Sequence, residues 1–339
     1  MQKRTIRSFD DLDALAGRVD HVLTLFSGGL DSSYVLKELA DRQIRTTALA
    51  VDLGEGCQVE ELKGITDFFG AALHRMDARQ AFVQDAVVPA IRAQARYLGM
   101  YPVSSSLSRP LLARVAVQVA GQLGCGAILH TANASQNSLR RLNGALSQLG
   151  FKGLYGTPYE RSVLSRSEKI EALRRLGLTH FQAPGISGDA NLWCREFESG
   201  SLDDPEGFWV PPSLFVWTAP APRRDESQEI TLRFVGGLPV AVDDKAMDVM
   251  AMVGLLNRKV GAFGIGRFSG LEHLAAKPGT QRIGRIEGRV VECGGEHLFL
   301  GEFVVDEVAA QLAFADHQDA VGDAEHFGQL RGHHDDRHA

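Results

Sequence analysis

The sequence predicts an α/β protein, a doubly wound parallel sheet followed by a second, α+β unit. Three observations predict it. Short apolar runs at 21–26, 46–52, 71–75 and 126–131 alternate with helical patterns over residues 1–181. The first run passes through a glycine-bearing turn, SGGLDSS at 27–33, into a helical pattern carrying Val35, Leu36 and Leu39. The patterning changes near 182–187, QAPGIS, beyond which shorter alternating runs take over.

Each element follows from its residues. Continuous apolar runs such as HVLTLF at 21–26 are those of parallel strands buried on both faces. Leu111, Val115, Val119 and Leu123 recur every fourth residue, enough to cover one face of a sheet with a helix. In such sheets ligands sit at the carboxyl ends of the strands, where the loops starting at Ser27, Asp52 and His130 converge. In the second unit a proline-rich connection, WVPP at 209–212, precedes alternating runs at 229–234 and 239–242. A helical stretch at 247–260 follows, then strands at 289–292 and 297–303. Residues 319–339, rich in Asp, His and Gly, read as a disordered tail, with His333, His334 and His338 solvated rather than metal-binding. A chain of 339 residues exceeds the roughly 250–300 at which one core divides. The expected domains are 1–181 and 182–318.

Composition narrows the function classes. A net charge of −6 with dispersed basic residues offers no face for a phosphodiester backbone, so nucleic acid is not an expected partner. No apolar run approaches the length of a membrane span. The first residues, MQKRTIRSFDDLDALAG, lack an apolar signal core and carry several acids. The four cysteines are isolated, which fits reduced thiols better than disulfides or a zinc site. Together these give a cytoplasmic expectation.

The stretch at 27–33 carries the chemistry. Its glycines let backbone amides approach an anion, and the helix it opens adds a favourable dipole. It is not a Walker loop, which requires a lysine absent here. The plain alternative is a glycine-containing strand–helix turn. The order S-G-G-x-D-S resembles the pyrophosphate loop of the N-type ATP pyrophosphatases, which split ATP into AMP and pyrophosphate.

Further segments narrow the resemblance: DLG at 52–54, YPVSSSLSRP at 101–110, the run from His130 to Arg141, ISGDANLW at 186–193 and ESGSLDDP at 198–205. In order and spacing, residues 20–305 resemble the argininosuccinate synthase family. The resemblance implies an adenine-nucleotide alpha-hydrolase-like sheet with a synthetase-type second domain. It implies a ligase that adenylates the ureido oxygen of citrulline and lets the amine of aspartate displace AMP. ATP and Mg²⁺ are the implied cofactors, small amino-acid-like molecules the partners, and a dimer or tetramer the assembly.

Carried over by position, Ser27, Gly28, Gly29, Asp31, Ser32 and Ser33 hold the phosphates, Asp31 by way of Mg²⁺, with Asp52 beside the nucleotide. Tyr101, Ser106, Ser187 and Glu272 match acceptor contacts, and Asn137 and Arg141 lie between acceptor and donor. Arg109 and Arg141 are equally residues that pair with a carboxylate at an element's end. The pattern also breaks. Where the family reads G-A-T-G-K-G-N-D-Q, this chain reads TANASQNSL at 131–139. Asn133 and Ser138 replace the donor's threonine and aspartate contacts, Ser135 the lysine, and Ala134 and Gln136 two glycines. Glu196 stands where the acceptor pocket has serine, and Val291 where it has tyrosine. The expectation is a ligase of this type with altered substrates. A genuine argininosuccinate synthase and a catalytically silent nucleotide binder are the alternatives. A tRNA-modifying enzyme fits less well with the acidic balance, the lone cysteines and the second-domain resemblance.

Overall fold

The computed structural model describes residues 5–56, 58–99, 101–179, 181, 185–203, 209–218, 228–273 and 286–292. Six parallel strands form the main sheet: β1 (Thr5–Ile6), β2 (Val22–Leu25), β3 (Thr46–Asp52), β4 (Ala72–Asp77), β7 (Ala127–Leu129) and β8 (Leu154–Gly156), in the order β1-β8-β7-β2-β3-β4. A short hairpin, β5 (Arg96–Tyr97) with β6 (Tyr101–Pro102), stands apart. The four apolar runs foreseen in the sequence are thus the four central and adjoining strands. The edge strand β1 and its neighbour β8 are two and three residues long, too short to leave an apolar signature.

Helices cover both faces, as the expected doubly wound class requires. On one face α2 (Leu30–Asp41) and α3 (Val59–Phe68) bury Leu36, Leu62 and Ile65 against Ala48 and Ala50. On the other, α6 (Ser105–Leu123) lays Val115, Ala116 and Val119 over Leu23, Leu49 and Ile128. Full burial of such a side chain contributes about 1.5–3 kcal/mol. Short helices α1 (Asp10–Asp13), α4 (Arg79–Phe82) and α5 (Val88–Arg92) and a π-helical turn at Val83–Val87 fill the remaining connections. From β2 the chain winds outward through β3 to β4, then returns to place β7 on the other side of β2. The crevice between β2 and β7 is therefore the switch point at which such sheets bind ligands. After β7 come α7 (Asn137–Gln148), β8 and α8 (Arg166–Arg175).

The second unit holds the antiparallel sheet β14-β15-β10-β9, from β9 (Ser187–Ala190), β10 (Arg195–Glu198), β14 (Arg267–His273) and β15 (Ile286–Glu292). Its strands mix charged and apolar residues without clean alternation, so β9, β10 and β14 had no readable signature in the sequence. A meander of β11 (Leu232–Val235), β12 (Leu238–Val242) and β13 (Lys245–Ala246) turns through Gly236 and Gly237, both at positive φ. Helix α9 (Val249–Gly261) starts at Asp248, whose carboxylate accepts from the Ala251 amide at 2.8 Å. Its Met252, Val253 and Leu256 are fully buried in the same core as Trp193 and Val119, so this apolar helix packs within the chain. The foreseen strand at 297–303, the tail, and residues 182–184 of the break lie outside the described residues.

Candidate functional site

The SGGLDSS loop leaves β2 at the switch point and opens α2. Gly28 sits at φ +77°, and a Cβ there would lie 2.5 Å from Leu62 Cδ2, so a larger residue would be strained and would displace Leu62. Ser32 and Ser33 are buried, and their hydroxyls donate back to the Gly29 and Gly28 carbonyls at 3.0 and 3.4 Å. Ser27 Oγ stands 3.4 Å from Ser32 Oγ, which ties the two ends of the turn together. Among the described residues, the amides of Leu30, Asp31 and Ser32 have no protein acceptor. They form the donor-rich start of a twelve-residue helix, the arrangement that binds phosphate. These features fit a nucleotide's phosphates.

Asp31 is fixed from an unforeseen direction. Its Oδ1 lies 2.5 Å from the ammonium of Lys169 on α8, and its carbonyl accepts from the Tyr159 hydroxyl at 3.0 Å. Burial pushes the Tyr159 hydroxyl well up, so it stays a donor.

Asp52 ends β3 and accepts from the Gly54 amide at 2.8 Å, closing a tight turn. Gly54, at φ +94°, lies against Leu192, whose Cβ would be 2.6 Å from an added Cβ. The Leu192 amide donates to the Leu53 carbonyl at 2.8 Å. Asn191, 1% exposed, donates to Ser104 Oγ at 2.8 Å and accepts from the Trp193 and Cys194 amides. The DLG and DANLW segments thus dock the second unit onto the strand ends of the first. Glu55, beside Gly54, is exposed at its surface and partly desolvated by the surrounding protein. With Asp189 and Asp52 adding repulsion, against a partial offset from Arg195, its carboxyl is pushed up to about 7.

Beside this junction a small cleft is lined by Tyr97, Tyr101, Ser106, Arg141 and Glu196. Tyr97 and Tyr101 stack at 5.2 Å, and Arg141 reaches Ser105 Oγ at 3.4 Å. Glu196 is buried and accepts from the Ser105 amide at 3.2 Å. A carboxylate of the protein therefore occupies the positive end of α6. Arg109 donates to Ser138 Oγ at 3.1 Å and pairs with Asp189 at 2.7 Å. Burial opposes the Arg109 charge, but Asp189, Glu196 and Glu198 outweigh it and raise its pKa.

The loop after β7 closes on itself. Ser135 donates through its amide and hydroxyl to Asn133 Oδ1, and Gln136 receives the Asn133 amide and donates to Glu198. His130 anchors it: Nδ1 accepts from the Ala132 amide at 3.3 Å, and Nε2–H donates to Asn143 on α7 at 3.0 Å. Burial pushes His130 down to about 4.

The foreseen residues thus fall into adjoining groups. Ser27 to Ser33 form the anion cradle, Tyr101, Ser106, Arg141 and Glu196 the cleft, and Asn133, Asn137 and Ser138 the loop and helix start between them. Asp52 ends the strand next to the cradle. Ser187 is exposed on β9, paired in register with Glu198, and Glu272 lies on β14, which runs beside β6. Asp189, Asn191 and Glu198 lie in the family-like segments 186–193 and 198–205 but had no role assigned. Lys169 was not foreseen, because a lysine within a charged helix leaves no local signal.

Residues 21–178 match the family model described as the arginosuccinate synthase N-terminal HUP domain, so the sheet and its loop define an α/β protein of the HUP class. Residues 186–276 match the arginosuccinate synthase C-terminal domain. The chain is 34% identical over 267 residues to argininosuccinate synthase of Parasynechococcus marenigrum, covering 76% of this chain and 65% of that one. It is 33% identical over 259 residues to that of Hyperthermus butylicus, covering 74% and 64%. It belongs to the argininosuccinate synthase family. The chain spans just under two thirds of the length of these curated relatives. Among solved structures, it is similar to an NH3-dependent NAD synthetase from Campylobacter jejuni, with TM-score 0.35, 16% identity, and coverage of 50% of this chain and 70% of that one. Among the described residues no helix is long and apolar enough to cross a membrane.

Proposed function

We propose that this protein is an ATP-dependent C–N ligase of argininosuccinate-synthase type that forms AMP and pyrophosphate and has altered substrates. The observation that carries it is the SGGLDSS cradle at the switch point, beside a cleft whose charges differ from the family's pattern. In the first step an acceptor oxygen attacks the α-phosphorus of ATP, and the bond to pyrophosphate breaks. In the second an amine nitrogen attacks the activated carbon, and the C–O bond to AMP breaks. Amides at the start of α2 and the Gly28–Gly29 turn hold the phosphates and stabilise charge on departing pyrophosphate. Asp31 addresses the Mg²⁺ that accompanies ATP, and Asp52 shapes the neighbouring turn. Tyr101, Ser106, Ser187, Glu272 and Arg141 hold the acceptor, while Asn133, Asn137 and Ser138 face the amine donor. Holding three reactants in line supplies much of the remaining catalysis.

Two features support altered substrates. Glu196 fills the helix-end position that would otherwise greet a substrate carboxylate, and favours an acceptor bearing a cationic group there. Ser138 is taken up by Arg109, so no carboxylate at that position meets a donor ammonium. In this reading residues 1–181 bind the nucleotide and 182–318 bind substrate and assemble a homo-oligomer. The protein acts in the cytoplasm on small molecules.

The test is pyrophosphate release from ATP and Mg²⁺ with citrulline, with and without aspartate, and then across cationic acceptors and a range of amines. Release that is strongest with a cationic acceptor and abolished by Asp31→Ala is the expected result. Efficient turnover of citrulline with aspartate would instead establish the genuine family activity. No release with any pair would leave a nucleotide binder, the reading to which the self-closed loop at 131–136 lends weight.

A further inference from the structure

The phosphate cradle contains a carboxylate, which by itself would repel the ligand it serves. Asp31 is the second residue of α2, and its side chain is 42% exposed at the mouth of the glycine turn. Lys169 meets it from α8, 138 residues away in sequence. This lysine is 8% exposed, and its ammonium sits 2.5 Å from Asp31 Oδ1 and 5.0 Å from the centre of the Tyr159 ring. Among the described residues Asp31 is the one carboxylate in ion-pair contact with Lys169, and Lys169 the one cation in contact with Asp31.

Burying an ammonium is costly unless it is paired, and an exposed carboxylate needs no buried partner to be solvated. The pair satisfies the buried ammonium and at the same time places a positive charge against the carboxylate of the cradle. Its geometry is held from both sides. Ser165 and Glu168 form a capping box that fixes the first turn of α8, where Lys169 lies. The Tyr159 hydroxyl fixes the Asp31 backbone.

We propose that Lys169 is the positioning counter-charge of the phosphate loop: it cancels the charge of Asp31 and so sets how strongly nucleotide binding depends on magnesium. This rests on the nucleotide reading of the site. With the pair intact, the cradle presents amides and no net charge. With Lys169 neutralised, Asp31 repels the phosphates. The repulsion grows with ligand charge, so ATP without metal suffers more than ATP carrying Mg²⁺.

The experiment is equilibrium binding of ATP by the full chain, once in EDTA and once with excess Mg²⁺, with no acceptor present. The variants are Lys169→Met, Asp31→Asn and the double variant, each checked for folding by its thermal melt. Lys169→Met is expected to weaken metal-free ATP about tenfold more than Mg²⁺-bound ATP, the size of one charge-assisted contact. The double variant is expected to bind metal-free ATP as wild type does, since both charges are gone. Asp31→Asn alone, which leaves Lys169 unopposed, is expected to tighten metal-free ATP, and this arm decides the matter if Lys169→Met does not fold. Equal weakening of both forms by Lys169→Met, or looser metal-free binding in Asp31→Asn, would reduce Lys169 to a structural strut and overturn the proposal. If wild type binds ATP in neither condition, the nucleotide reading fails and this inference falls with it.

Discussion

His130 links the end of β7 to the loop at 131–136, and its protonation has a calculable effect. The imidazole is 1% exposed, with Nδ1 accepting from the Ala132 amide and Nε2–H donating to Asn143. A second proton would need Nδ1, which already faces an N–H. Burial, with a smaller push from Arg109, holds the group down to about 4 against an ordinary 6.5, although the Asn143 contact opposes this. A base whose folded pKa is depressed is protonated in the unfolded chain first. Its contribution is therefore complete above pH 6.5 and is lost as pH falls from 6.5 towards 4. At about 1.4 kcal/mol per pH unit, that gap amounts to about 3 kcal/mol. Urea midpoints for wild type and His130→Gln at pH 7.5, 6.5, 5.5 and 4.5 test this. The variant is expected to be the less stable protein at pH 7.5, with its deficit shrinking steadily below pH 6.5. Curves that stay parallel down to pH 4.5 would refute the argument, since titrating carboxylates affect both proteins alike.

Three further outcomes follow from the site. Gly28→Ala places a Cβ at positive φ against Leu62; it is expected to cost about 1–3 kcal/mol of stability and to weaken ATP binding, read by thermal melt and titration. Adding Leu62→Ala should recover only the steric part. Asn191→Ala strands the buried Trp193 and Cys194 amides and frees Ser104; a loss of about 2–4 kcal/mol in urea denaturation is expected, and a loss under 0.5 kcal/mol would contradict the docking role. Glu196→Ser is expected to shift acceptor preference, as a ratio of kcat/KM, about tenfold or more away from cationic and towards neutral or carboxylate-bearing acceptors; an unchanged ratio would remove Glu196 from acceptor choice.

What the sequence revealed, and what it hid, divides on physical lines. Strands β2 and β3 and helix α6 bury continuous or regularly spaced apolar residues, so their chemistry is written in consecutive positions. The cradle was legible because Gly28 takes a left-handed backbone conformation that side-chain-bearing residues adopt only under strain. Strands β9 and β10 were invisible because SGDA has no large apolar residue and REFE has only Phe197, too few to show a period. The Lys169–Asp31 and Arg109–Asp189 pairs join residues far apart in sequence, and no local pattern announces such a partner. Asp52-Leu-Gly54 and Asn191-Leu-Trp193 were readable as segments belonging to one family, but only the structure shows that they grip one another.

That division bears on how such a site changes task. The cradle acts through backbone amides, whose positions are set by φ at Gly28 and by the start of α2, so few substitutions preserve it. The cleft acts through side chains borne on strands and a helix end that keep their shape when those side chains change. Glu196 shows this: one residue on β10 caps the positive end of α6 by accepting from the Ser105 amide. Arg109 likewise takes up Ser138 while pairing with Asp189. On the proposed function, activation and substrate choice lie on separable parts of the molecule, and Glu196→Ser should change the acceptor while leaving ATP affinity in the absence of acceptor as it was.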